Sequence, residues 1–173
     1  MSDKPSPAIS SPAISSPAIP LRVFLDSGVI IEGCYSGWGA SKGVLILAAQ
    51  RRRDIRIVLA EAVEREVRRD LVDMSTATDP ARAALIIAGF EGWLERVQIE
   101  RRPQPSEDEI LAHYQSIMPA LRHENDVAPV VSAILAHPDW VLSTNTKHWN
   151  PALGARTGLR IATPQQFLEQ LIV

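Results

Sequence analysis

The chain has 173 residues, 46% of them hydrophobic, and a formal net charge of -2; that size favours one substantial core over two, and that charge excludes a globally basic nucleic-acid binder while leaving room for a local basic face. Cys34 is the only cysteine, so no intrachain disulfide can form, and the four histidines, His113, His123, His137 and His148, lack zinc-ligand spacing. No apolar run approaches the roughly 20 residues of a membrane span and the N-terminus lacks the basic-then-apolar order of a secretory signal, so a cytoplasmic protein with no membrane partner is expected.

The first twenty residues carry SPAIS, SPAIS and SPAIP in tandem. They have too little apolar surface for a core, and residues 1–20 are expected to be a disordered tail ahead of one domain over 21–173. After Leu21, strand-like and helical runs alternate, the pattern of a parallel sheet covered by helices. The first strand is expected over Leu21 to Asp26. A helix follows from Ser41, a second strand over Asp54 to Ala60, and then two helices, one over EAVEREVRRDLVDM and one over DPARAALIIAGFEGWLERV with Pro80 near its start. A short strand is expected at Gln98 to Glu100. Ser106 and Glu109 stand in capping-box relation at the head of the next helix. Another helix covers DVAPVVSAILAH, strands follow over Trp140 to Thr144 and LRIAT, and Thr163 with Pro164 opens the last helix. The order β-α-β-α-α-(β)-α-α-β-β-α predicts an α/β sandwich.

The ends of these strands hold the residues with chemistry. Asp26 ends the first strand, Glu61, Glu64 and Glu66 sit in the helix after the second, Glu124 and Asp126 open a later helix, and Thr144 and Asn145 end a fourth strand. An aspartate at the C-terminal end of a central strand lies where open α/β sheets place ligands. Carboxylates gathered from distant segments repel and raise one another's pKa, and a hard divalent cation relieves that repulsion. Each residue also has a plainer reading. Asp26 and Asp126 would serve as helix or turn caps, Glu66 as one more ion pair on a Glu/Arg-rich face, Asn145 as a turn residue and His148 as a surface histidine.

VFLDSGVIIEG, LAEAVEREVRRDL, ENDVAPVVSAILAHPDWVLSTNTKHW and GLRIATPQQFLEQL, taken in order, resemble the successive motifs of the PIN domain family. Its members include ribonuclease toxins of bacterial toxin–antitoxin pairs and RNA-processing nucleases. The resemblance covers most of Leu21 to Val173. It implies a PIN-like three-layer α/β sandwich with a mostly parallel sheet, an acidic pocket for Mg²⁺ or Mn²⁺, and metal-dependent hydrolysis of RNA. Carried over by motif, the catalytic residues are Asp26, Glu66, Asp126 and Asn145, and the metal ligands Asp26, Glu66 and Asp126. Ser27, Thr144 and His148 fall at positions suited to substrate contact, and Trp149 replaces the usual phenylalanine. Glu64 lies elsewhere on that helix, since two residues amount to about 200° of rotation, and Glu64 or Glu61 is the fallback for Glu66. Two departures stand out: Gly28 where a polar side chain is usual, and Asn145 where aspartate is common. They support an alternative, a catalytically weakened PIN-like module that binds RNA or protein. The partners implied are RNA, an antitoxin protein and a second copy of the chain, the last two suited by apolar surplus on the helix holding Ile86, Ile87, Phe90, Trp93 and Leu94. The glycines of GWGASKG match neither phosphate-loop spacing and do not follow the first strand directly, which excludes a nucleotide-binding loop of either kind. The arginines fall in three groups, Arg51 to Arg53, Arg65 with Arg68 and Arg69, and Arg101 with Arg102, any of which suits a phosphate backbone.

Overall fold

A computed structural model describes residues 19–76, 79–118, 120–121 and 126–171. The repeat tail up to residue 18 and Glu124 lie outside the described residues. Five strands, β1 (Leu21–Leu25), β2 (Ile55–Ala60), β3 (Gln98–Arg102), β4 (Trp140–Leu142) and β5 (Ile161–Ala162), form one sheet in the order β3-β2-β1-β4-β5. Every pairing is parallel, with Val23 opposite both Ile57 and Trp140.

Parallel strands need crossovers, and helices supply them. The segment after β1 carries α1 (Ser27–Tyr35) and α2 (Ala40–Gln50), and that after β2 carries α3 (Glu61–Thr76) and α4 (Pro80–Arg96). Then α5 (Glu107–Ile117) and α6 (Val127–Ala136) lead to β4, α7 (Pro151–Thr157) to β5, and α8 (Pro164–Leu171) ends the described chain. Helices α1 to α4 pack on one another with α8 against α2, while α5 packs with α6 and α7. The chain moves one way across the sheet through β1, β2 and β3 and the other way through β4 and β5, so right-handed crossovers put the two groups on opposite faces. The result is a three-layer α/β sandwich.

Burial on both faces explains the near-continuous apolar strands. Phe24, Leu25, Ile57, Val58, Leu59, Val141 and Leu142 are fully buried. Helix α6 lies against the sheet and buries Val130, Val131 and Ala133. On the other side the Trp93 indole N–H donates to the Leu45 carbonyl at 2.9 Å, satisfying a buried donor between α4 and α2. Phe90, Trp93 and Leu94 of α4 belong to this core, and Ile86 and Ile87 are half-buried.

Several local expectations hold in detail. Ser106 and Glu109 form a reciprocal capping box. Asp79 caps α4 by accepting from the Ala81 and Arg82 N–H groups, with Pro80 in the first turn. Thr163 and Gln166 exchange the same pair of bonds at the head of α8. Two helices are absent from the sequence reading. Helix α1 begins at Ser27, directly after β1, and α7 is a single seven-residue piece capped by Asn150. Strand β4 stops at Leu142, although the Ser143 N–H still bonds the Ala162 carbonyl of β5 at 3.1 Å, and β3 extends two residues further, to Arg102.

Candidate active site

The strand order reverses direction between β1 and β4, and the crevice outside the carboxyl ends of those two strands is where open parallel sheets bind ligands. Asp26 follows β1 and the Ser143–Asn145 segment follows β4, so both enter that crevice.

Asp26 occupies the N-cap position of α1, yet its side chain makes no capping bond. It is buried, and Ser143 Oγ donates to Asp26 Oδ2 at 2.6 Å. The same Ser143 hydroxyl accepts from the Asn145 backbone N–H at 2.9 Å, which fixes its orientation. Burial pushes the Asp26 carboxyl above its ordinary pKa; hydrogen bonds from Ser143, the Ser27 backbone and Trp149 oppose the rise, and the nearby Asp126 charge adds to it. Trp149 is itself buried, its ring 5.9 Å from that of Phe24.

Glu66 reaches the crevice from α3. Burial raises its pKa, a hydrogen bond with the Ser27 side chain lowers it, and the charges of Asp26 and Asp70 raise it further. Glu61 and Glu64 point elsewhere, as helix rotation requires. Glu61 Oε2 accepts from the Gln104 N–H at 3.2 Å, and Glu64 accepts from Arg68 at 2.8 Å and from Arg101 at 3.3 Å.

Asp126 stands at the N-cap of α6, again without a capping bond. Its Oδ2 lies 2.5 Å from His148 Nδ1, is buried, and has no hydrogen bond of good geometry. Asn145 Nδ2 approaches the same ring nitrogen at 3.2 Å. Nδ1 serves one neighbour at a time: bare, it accepts from the Asn145 amide, and protonated it donates to Asp126. Asn145 is also a turn residue, since its carbonyl accepts from the His148 and Trp149 N–H groups. Its side chain thus meets His148, and His148 carries the connection to Asp126.

Asp26, Glu66 and Asp126 therefore line one crevice, and Asp26 senses both of the others. Among the described residues, however, no three His, Cys, Asp or Glu side chains stand close enough to share an ion. The donors are all hard oxygens, which suit Mg²⁺ or Mn²⁺. Two carboxyls held above their ordinary pKa beside the charge of Asp126 are features that a cation in the crevice would relieve. On donor chemistry the residues fit such an ion; closing a three-ligand shell requires the carboxylates to move toward one another.

The remaining site residues divide. Ser27 is buried against Glu66, so it orients a carboxylate. Thr144 is exposed at the crevice mouth. Gly28 is explained by Thr144: a Cβ added at residue 28 would lie 2.6 Å from Thr144 Oγ1 and 3.9 Å from Asp26 Oδ2. The hydroxyl of Thr144 fills the space that a side chain at residue 28 would take. Ser143 and the Trp149 donor to Asp26 were not legible beforehand, because a serine at a strand end and a tryptophan in an apolar setting carry no distinctive signal.

The arginine groups separate too. Arg51 to Arg53 form the exposed turn between α2 and β2, at the amino ends of the strands and so opposite the crevice. Arg65 and Arg69 line the acidic cleft together with Glu66, Gln104 and Asp126.

No protein-family model matches the sequence, and no curated protein matches it either. Solved structures do match in fold. VapBC2 from Rickettsia felis, in a crystal structure bound to a DNA fragment from their promoter, aligns at a TM-score of 0.56 and 13% identity over 83% of this chain and 98% of the matched one. PAE2754 from Pyrobaculum aerophilum aligns at 0.57 and 13% identity over 96% and 99%, and VapBC-1 from nontypeable Haemophilus influenzae at 0.52 and 18% over 84% and 99%. With its all-parallel sheet, its helices on both faces and its acidic crevice at the switch between β1 and β4, the chain has a PIN-domain fold.

Proposed function

We propose that residues 21–173 form a metal-dependent ribonuclease that hydrolyses RNA phosphodiester bonds, with residues 1–20 as an appended tail. The observation that carries this reading is that Asp26 and Glu66, both protonated more readily than ordinary carboxyls, open on one switch-point crevice with Asp126, Glu66 and Asp126 each within electrostatic reach of Asp26. Burying like charges together is costly, and a catalytic cation is the common reason for it. Asp26, Glu66 and Asp126 would hold Mg²⁺ or Mn²⁺, which when bound supplies an activated water and neutralises charge on the phosphoryl oxygens.

The chain's own residues do the rest. Ser143 and Trp149 fix the Asp26 carboxylate, and Ser27 fixes Glu66. His148 Nδ1 lies against Asp126 at the head of α6. Thr144 stands at the mouth, where a substrate oxygen would enter. No covalent nucleophile is required. The reducing cytoplasm, where RNA is found and a free Cys34 persists, suits this activity.

The fold likeness to VapBC assemblies supports a role as the toxin of a toxin–antitoxin pair. A cleft between α2 and α4, lined by Leu45, Ile46, Leu85 and Ile86 and edged by Lys42 and Arg96, suits an apolar antitoxin segment with acidic flanks. Leu85 and Ile46 are exposed there. A second copy of the chain would compete for the same surface.

One observation favours the alternative of a weakened module that binds without cutting: no three acids converge among the described residues. Cleavage of a mixed RNA pool with Mn²⁺, Mg²⁺ or EDTA, by wild type, Asp26→Ala and Asp126→Ala, separates the two readings. The nuclease reading expects metal-dependent cleavage that both substitutions abolish. Intact RNA throughout, with RNA still bound, would replace it by the weakened module.

A further inference from the structure

Ala62, Arg65, Glu66 and Arg69 follow i, i+3, i+4, i+7 spacing and so form one stripe along α3. That stripe is one wall of the acidic cleft, with Gln104 and the head of α6 completing the lining. The acid in the middle of the stripe thus has a guanidinium on either side.

These two cations differ from the other arginines near the site in how they are held. Arg68 is bound by Glu64 and Glu91 together, while Arg101, as exposed as Arg65 and paired once with Glu64, lies outside the lining of the acidic cleft. Arg65 is 65% exposed, 3.5 Å from Glu61 and 3.3 Å from Gln104 Oε1. Arg69 is equally exposed and pairs with its neighbour Asp70 at 3.0 Å. Exposed pairs of this kind contribute little, so exchanging them for a stronger anion costs little.

A polyanion entering the crevice meets three carboxylates, and needs compensating cations at the entrance. We propose that Arg65 and Arg69, with Gln104 beside Arg65, form a backbone subsite that holds the phosphates flanking the one to be cut in an RNA strand. This rests on the ribonuclease reading above. Four residues of helix rise about 6 Å, so the two guanidinium groups can engage separate phosphates, each in the bidentate manner arginine favours. The Arg51–Arg53 turn, at the opposite pole, takes no part.

The test is fluorescence anisotropy of a labelled short single-stranded RNA of mixed sequence, titrated with the full chain in Ca²⁺ over a range of salt. Arg65→Gln and Arg69→Gln are expected each to weaken binding several-fold and together more than tenfold. Each should reduce the slope of log affinity against log salt by about 0.7. Both side chains are exposed, so melting temperature should not move. In the cleavage assay KM should rise with kcat spared. Arg52→Gln with Arg53→Gln should bind as wild type. A double Arg65/Arg69 variant with wild-type affinity, or an equal loss from the Arg52/Arg53 pair, would overturn the subsite and leave the ribonuclease reading standing. A wild type that neither binds nor cuts RNA would overturn both.

Discussion

Ser143 Oγ donates a 2.6 Å hydrogen bond to Asp26 Oδ2, joining residues 117 positions apart just beyond the ends of the neighbouring strands β1 and β4. The bond is buried and its acceptor is a carboxylate, so it belongs to the stronger class. It also opposes the upward pKa drift that burial imposes on Asp26. Ser143→Ala is expected to cost about 1.5–3 kcal/mol at neutral pH, the range for a hydrogen bond to a charged group. The cost should shrink in acid, where Asp26 is protonated in either protein. Thermal melts of both proteins at neutral and acidic pH in EDTA read this directly; an identical cost at the two pH values would mean that Ser143 acts through packing alone.

Asp26 titrates above its ordinary value in the folded chain, chiefly through burial. Between the ordinary and the raised value the folded state carries more protons than the unfolded chain, so stability falls as pH rises across that interval and the full cost remains above it. Asp26→Asn removes the charge while keeping the shape. Without metal it should be more stable than wild type at neutral pH by about 1–2 kcal/mol, a usual single-residue effect. The advantage should vanish below about pH 4, where the ordinary aspartate also protonates. Urea melts of the two proteins across pH provide the comparison. A wild type more stable than Asp26→Asn at neutral pH in EDTA would show that the charge is favourably held.

Gly28 and Thr144 share one space, since a Cβ at residue 28 would stand 2.6 Å from Thr144 Oγ1. Gly28→Ser should therefore destabilise, by less than the ~1–3 kcal/mol of overpacking a sealed core because the exposed Thr144 hydroxyl can turn aside. Thr144→Ala alone should cost little because Thr144 is exposed. The double variant should recover most of the loss, a coupling that a double-mutant cycle of melting free energies isolates. Strictly additive effects would separate the two positions.

Much of this was legible because period and punctuation agree along most of the chain. Helices α4, α5 and α8 announce themselves through Asp79, the Ser106/Glu109 box and Thr163 with Pro164. Helix α1 does not. Its SGVIIEGCY carries two glycines and three β-branched residues, and its apolar side chains wrap most of the circumference, so neither propensity nor an amphipathic stripe marks it. Helix α7 is one turn too short for any period to show. At the site, helix rotation separates Glu66 from Glu64, because geometry within one helix follows from sequence. What joins Ser143 to Asp26, or His148 to Asp126, is register between distant strands and loops, and nothing local encodes it.

The central claim is that Asp26, Glu66 and Asp126 hold one divalent cation, and calorimetric titration of the metal-free chain with Mn²⁺ tests it most directly. The account predicts one tight equivalent in the absence of RNA, lost in Asp26→Ala and in Asp126→Ala, with a melting temperature that rises with Mn²⁺ for the wild type alone. No binding by the wild type, binding unchanged in both variants, or two tight equivalents without RNA would contradict it.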